Sequence, residues 1–162
     1  NKFQYFIVDF GSIHLIPTLC VYMALLPMIY ALAYSGNELN NLDILAAFLA
    51  IAAVIIQIVS DQQMYNFRKN LSEPKTMKSG LWYYSRHPNY FGEILFWFSL
   101  YVFALASNLS FAWLLIGSII MYALIAIASV SMMDKRSLER RPDFQEYMDS
   151  TPSIFINILK KG

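Results

Sequence analysis

Four apolar stretches govern what this chain can fold into, because each is long enough to cross the hydrocarbon core of a membrane, which takes about 20 residues. The first runs roughly from Ile13 to Tyr34, with Pro17 and Pro27 as kink points. The second runs roughly from Leu42 to Ser60 and continues as a polar extension through Asp61, Gln62, Gln63, Tyr65, Asn66 and Arg68. The third spans about Pro88 to Ala106 and the fourth about Leu109 to Met133. The expectation is an all-α, polytopic integral membrane helix bundle with four transmembrane helices and a C-terminal amphipathic helix, built as a single membrane domain over residues 1–162.

Composition supports the membrane setting and excludes several functions. With 57% hydrophobic residues, 14% charged residues and a mean hydropathy of +0.44, the makeup is not that of an ordinary soluble domain. A net charge of +1, with no basic run interleaved with aromatics, gives no footprint for nucleic acid. Cys20 is the single cysteine, and His14 and His87 lie in different segments, so neither a disulfide framework nor a metal site is expected. The chain opens on Asn1 without a signal-peptide cleavage pattern and reads as a piece of a longer protein.

Loop charge sets an orientation. The first connection, Ser35 to Asp43, carries Glu38 and Asp43 and no Lys or Arg. The second holds Arg68, Lys69, Lys75, Lys78 and Arg86, and the tail holds Lys135, Arg136, Arg140, Arg141, Lys160 and Lys161. Because Lys and Arg accumulate on the cytoplasmic side, the second connection and both chain ends are expected there.

Two polar clusters lie on that side. The run from Gly80 through Arg86-His87-Pro88-Asn89-Tyr90-Phe91-Gly92-Glu93 sets a guanidinium, an imidazole, an amide, a carboxylate and several phenols at the mouth of the third span. Polar side chains are costly in lipid, so such a cluster is a functional candidate. Pro88 suits the first position of a helix, where its missing N–H would be unpaired anyway. Arg86 and His87 then flank a positive helix end, a place that favours phosphate or carboxylate. A plain basic anchor is the competing account of Arg86, but it needs no carboxylate one turn into the helix. In the second cluster Asp61 and Arg68 stand seven residues apart and share a helix face with Tyr65. They are either the wet end of a membrane helix or a carboxylate and a guanidinium aimed at a ligand. In the tail, Pro142 followed by Asp143 and Glu146 reads as a new helix start. Phe144, Tyr147 and Met148 form one stripe on that helix, which is either a helix lying on the membrane surface, the reading that spacing alone favours, or a flap that closes over a cytoplasm-facing cofactor pocket.

The residues from Asp61 to Glu93, with the tail, resemble the C-terminal domain of the steroid 5-alpha-reductase superfamily, and most nearly its branch known as domain of unknown function 1295. Three blocks carry the likeness: Asp61 with Arg68; Gly80-Leu81-Trp82 through Tyr84 and on through Arg86-His87-Pro88-Asn89-Tyr90-Phe91-Gly92-Glu93; and Arg140-Arg141-Pro142 with Phe144, Tyr147, Thr151, Pro152 and Phe155. The resemblance implies a membrane-embedded, NADPH-dependent reductase of a carbon–carbon double bond in a lipid or steroid-like substrate. It implies a cofactor-binding part over about 57–156 and an NADPH site lined by Asp61, Arg68, Tyr84, Arg86, His87, Asn89, Tyr90, Glu93 and Tyr147. No catalytic residue and no metal ligand is assigned. Its setting would be a bacterial inner membrane or the endoplasmic reticulum, with the cofactor site facing the cytoplasm and membrane lipids around the spans. Gln57 departs from the glutamate common in the nearest branch. The helices that carry the substrate-facing acid and tyrosine of the steroid reductases have no recognisable counterpart here. The alternative is a membrane methyltransferase of the isoprenylcysteine carboxyl type. Those enzymes share an Arg-His-Pro-x-Tyr-x-Gly run and an aromatic–Glu-Tyr tail but use S-adenosylmethionine. Asn89, Glu93 and the Asp61/Arg68 pair look like the reductases.

Overall fold

The structure is a computed structural model that describes residues 8–34, 38–69, 71, 73 and 75–156. It is 83% helical, with no strand among the described residues, as the apolar runs require. A π-helical turn, Phe10–Leu15, leads into α1 (Ile16–Ala33), and Pro17 sits in the first turn of α1, where a missing N–H costs least. The other expected kink point, Pro27, is buried inside α1. The second apolar run and its polar extension form one uninterrupted helix, α2 (Asn41–Lys69). A four-residue turn, α3 (Leu81–Tyr84), precedes α4 (Pro88–Ser107), which starts on the expected proline. The fourth run is a composite: a 3-10 turn (Leu109–Leu114), α5 (Leu115–Ala123), a π-helical stretch (Leu124–Val130) and α6 (Ser131–Arg140). It stays helical well beyond Met133, so its charged last turns project past the apolar part. The tail closes with α7 (Phe144–Ser150).

Four of these segments are long and apolar enough to cross a membrane: Phe10–Ala33, Asn41–Lys69, Pro88–Ser107 and Leu109–Arg140. Only 11% of the apolar window in each of the first two is buried within the protein, so most of that surface has lipid as its natural solvent.

The chain divides into two compact units. The first contains residues up to Phe48 together with Trp97–Leu124. There Asn40 caps α2: its side-chain oxygen accepts from the Leu42 and Asp43 amides, while the Asp43 carboxylate accepts from the Asn40 amide at 3.0 Å. This reciprocal cap satisfies donors that the helix start leaves open. The Asn40 side-chain Nδ2 donates to the Ala106 carbonyl at 2.9 Å and so ties the start of α2 to the end of α4.

The second unit contains Leu49–Phe96 and Ile125 onward. It has an apolar cluster of Ile125, Val130 and Ile154, against which Tyr90, Phe91 and Ile94 pack. Helices α2 and α4 approach closely at Gly92, where a Cβ would stand 2.8 Å from the Ala53 carbonyl oxygen and from the Gln57 side chain. Gln57 is therefore part of a helix contact. Gly80 has φ of +63°, a left-handed conformation that glycine adopts at little cost. It delivers the Leu81 amide to the Gln63 side-chain oxygen at 3.0 Å. The Trp82 indole N–H donates to the Ser60 carbonyl at 3.1 Å, fixing the turn α3 against α2.

Candidate functional site

Sequence alone joined the two polar clusters only by inference. In the second unit they line one pocket of about 250 Å³. Asp61 and Arg68 from α2 line it, with Arg86, His87, Asn89 and Tyr90 from the start of α4 and Tyr147 from α7. Met64, Met77, Trp82, Met133 and Phe144 add apolar wall, and Ser137 and Arg141 complete the polar part. Seven of the nine residues expected at one site are thus brought together; Tyr84 and Glu93 do not line it. Tyr84 instead makes an edge-on contact with Tyr83 at 5.0 Å. Asp61 and Arg68 are exposed, whereas His87 is only 6% exposed.

Two of the lining residues are tied by a third that sequence reasoning did not select and that does not itself line the pocket. Asp134, near the start of α6 and 7% exposed, puts one carboxylate oxygen 2.9 Å from an Arg86 terminal nitrogen and the other 2.8 Å from His87 Nε2. The guanidinium expected to stand open for an anion is therefore engaged. Its other terminal nitrogen donates to the Met148 and Thr151 carbonyls at 2.9 and 2.8 Å, and the Arg86 amide donates to the Pro152 carbonyl at 2.9 Å. The His87 ring lies stacked over Tyr90, with centroids 5.6 Å apart.

The tail is held by the same turn. The Ser85 hydroxyl donates to the Ser153 and Ile154 carbonyls, and the Tyr147 hydroxyl donates to the Trp82 and Ser85 carbonyls. The expectation of a helix lying free on the membrane surface is corrected here. Helix α7 is amphipathic, but its stripe turns inward, with Phe144 3% and Tyr147 2% exposed, both lining the pocket. The helix also begins two residues after Pro142, because Asp143 sends its carboxylate to the Thr76 hydroxyl at 2.8 Å instead of into the first turn.

Two titrating groups outside the spans feel this environment. Burial raises the Tyr147 phenol well above the tyrosine value of 10.0. Burial, and next the nearby Arg68 guanidinium, lower Arg141. A phenol whose folded value is raised contributes stability that is present below pH 10 and is lost as the pH climbs towards the folded value. Thermal unfolding from pH 8 to 11 is expected to show a steeper alkaline loss for the native chain than for Tyr147→Phe. Identical slopes would contradict this.

Two residues that line the pocket each hold a buried polar atom without a protein partner: Arg86 Nε, a donor, and Asn89 Oδ1, an acceptor. Buried polar groups are ordinarily satisfied, so each orphan calls for an explanation. No group of three or more potential metal ligands occurs among the described residues.

Residues 2–151 match the family described as "Protein of unknown function (DUF1295)". The chain belongs to this family, which is part of the steroid 5-alpha-reductase-like group. An uncharacterized protein of the fission yeast Schizosaccharomyces pombe is 26% identical over 182 residues, covering 95% of this chain and 51% of the relative. The chain thus spans about half the length of that curated relative. No solved structure matches.

Proposed function

We propose that this chain is the cofactor-binding part of a membrane-embedded, NADPH-dependent reductase acting on a carbon–carbon double bond of a lipid or steroid-like substrate. The observation that carries this reading is the convergence of the Asp61/Arg68 pair and the Arg86–Tyr90 turn on one pocket. Family membership in the steroid 5-alpha-reductase-like group supports it. The cofactor, when bound, would supply a hydride. Arg68 and Arg141 share the pocket wall and suit phosphate oxygens, since a planar guanidinium forks onto an oxyanion. Asp61 suits ribose hydroxyls, which donate to a carboxylate. Arg86 Nε and Asn89 Oδ1 suit a carboxamide, the group that nicotinamide carries. The methionines and Phe144 keep water from the reacting end.

A volume of about 250 Å³ is small beside the several hundred typical of ligand pockets. The pocket therefore fits one end of a dinucleotide, and the rest would lie outside it. The methyltransferase alternative is the weaker of the two, because S-adenosylmethionine offers the guanidiniums a single carboxylate and no phosphate, and Asn89 and the Asp61/Arg68 pair look like the reductases.

Trp82 lines the pocket, so reduced nicotinamide bound there should quench its emission. Titration with NADPH is expected to give saturable quenching that falls by more than half in Trp82→Phe, leaving only Trp97 and Trp113. Absence of quenching in the native chain, or full quenching in a folded Trp82→Phe variant, would count against the site.

A further inference from the structure

Beside the signature pocket runs a second cavity, of about 520 Å³, whose chemistry the proposed reduction does not use up. Arg68, Lys75, Arg136, Arg140 and Arg141 line it, with Leu71, Met133 and Ser137. Five cations therefore face one groove, and no Asp or Glu is among the described residues that line it. Among the described residues, none of the five has a carboxylate within ion-pair distance; the ion pairs are those of Lys78, Arg86 and His87. Arg141 turns back to donate to the Ser137 hydroxyl and lies over the Phe144 ring at 4.8 Å, so its charge is held in place rather than free to swing into water. Burial, and next the adjacent Arg68, weaken its hold on its proton, and the Asp143 and Asp134 carboxylates offset this only in part.

The groove also has a defined height. Arg68 lies in the last turn of α2, and Arg136 and Arg140 lie in the second half of α6. Both helices end membrane-length segments. Large apolar side chains stay exposed on the same helices, with Tyr65 at 62% and Met132 at 66%. Cations at the ends of spans, above exposed apolar surface, meet the layer where lipid phosphates lie. Basic pockets between membrane helices at that level suit anionic headgroups.

We propose that this groove binds the phosphate headgroup of an anionic membrane phospholipid. Its selective contacts are Lys75, Arg136 and Arg140, which do not line the signature pocket; Arg68 and Arg141 form the wall common to both. The site is separated from the proposed cofactor site by Lys75, Arg136 and Arg140 alone, and a soluble phosphate would satisfy the same cations.

The test uses the purified chain in a neutral, sugar-headgroup detergent. Thermal unfolding is followed as short-chain phosphatidylglycerol or phosphatidylcholine is added. A saturable rise of several degrees is expected with phosphatidylglycerol and not with phosphatidylcholine. The rise should shrink at least by half in the Lys75→Gln/Arg136→Gln/Arg140→Gln variant and persist at saturating NADPH. If the triple variant does not fold, the exposed Arg140→Gln alone should weaken the apparent lipid affinity several-fold. Equal responses to the two lipids, or an undiminished response in the variants, would overturn the proposal. So would inorganic phosphate that reproduces the shift, or NADPH that abolishes it, since either gives the groove to a soluble anion. A phosphatidylglycerol response without any NADPH binding would leave the lipid site standing and sink only the cofactor reading.

Discussion

Replacing Asp134 with alanine is expected to cost about 3–5 kcal/mol of stability, the range for breaking a buried ion pair by removing one partner. The magnitude follows from what the carboxylate leaves behind. Arg86 and Asp134 side chains are each 10% exposed, and the His87 side chain 8%. Without Asp134, a guanidinium remains charged in a site that water scarcely reaches. Arg86 also organises the carbonyls of Met148 and Thr151, so a disturbed guanidinium loosens the tail as well as the turn before α4. The variant should unfold at markedly lower temperature in detergent and become sensitive to proteolysis after Ser150. Asp134→Asn, which keeps the shape and one acceptor, should lose less. Asp149→Ala, an exposed acid whose hydrogen bond is to Gln145, is the control and should stay within about 0.5 kcal/mol of native. An Asp134→Ala variant as stable as that control would remove the central tie from the account.

Asp134 also shows where sequence reasoning reached its limit. The four spans were legible because lipid imposes a simple rule: long apolar runs must be helical. Pro88 marked the start of α4, and the seven-residue spacing of Asp61 and Arg68 placed both on one wall. Asp134, by contrast, opens a charged run, Asp134-Lys135-Arg136, that reads as a solvated helix end. Its true partners lie 47 and 48 residues earlier in the chain. A lone acid directly after an apolar run, with two unpaired basic groups in the signature, was the only clue. Arg86 lines the pocket as expected, but its partners were hidden for the same reason. Helix-end chemistry suggested a vacant cation, and only the fold reveals the carboxylate and carbonyls that occupy it. The stripe Phe144-Tyr147 was correctly periodic, but periodicity cannot say whether an apolar face meets lipid or protein. The buried tyrosine hydroxyl, satisfied by the Trp82 and Ser85 carbonyls, settles it as protein.

With Arg86 engaged, the proposed NADPH site would leave phosphate recognition to the two guanidiniums on the pocket wall, Arg68 and Arg141. Arg141→Ala is expected to weaken NADPH binding by about 1.5–3 kcal/mol, the range for a charge-assisted hydrogen bond, or roughly ten- to one-hundred-fold in Kd. Arg68 is exposed and its contribution is screened by solvent, so Arg68→Ala should lie at the lower end of that range. Added salt should weaken binding in the native chain and less so in either variant. NADH, which lacks the 2′-phosphate, should be insensitive to whichever arginine meets that group. Variants that bind NADPH with native affinity while remaining folded would show that these arginines serve something else.

The most direct test is a calorimetric titration of the purified chain with NADPH and, separately, with S-adenosylmethionine under identical conditions. The account predicts saturable binding of NADPH, weakened in Arg141→Ala, and no measurable heat from S-adenosylmethionine. Saturable S-adenosylmethionine binding with no NADPH signal would contradict it.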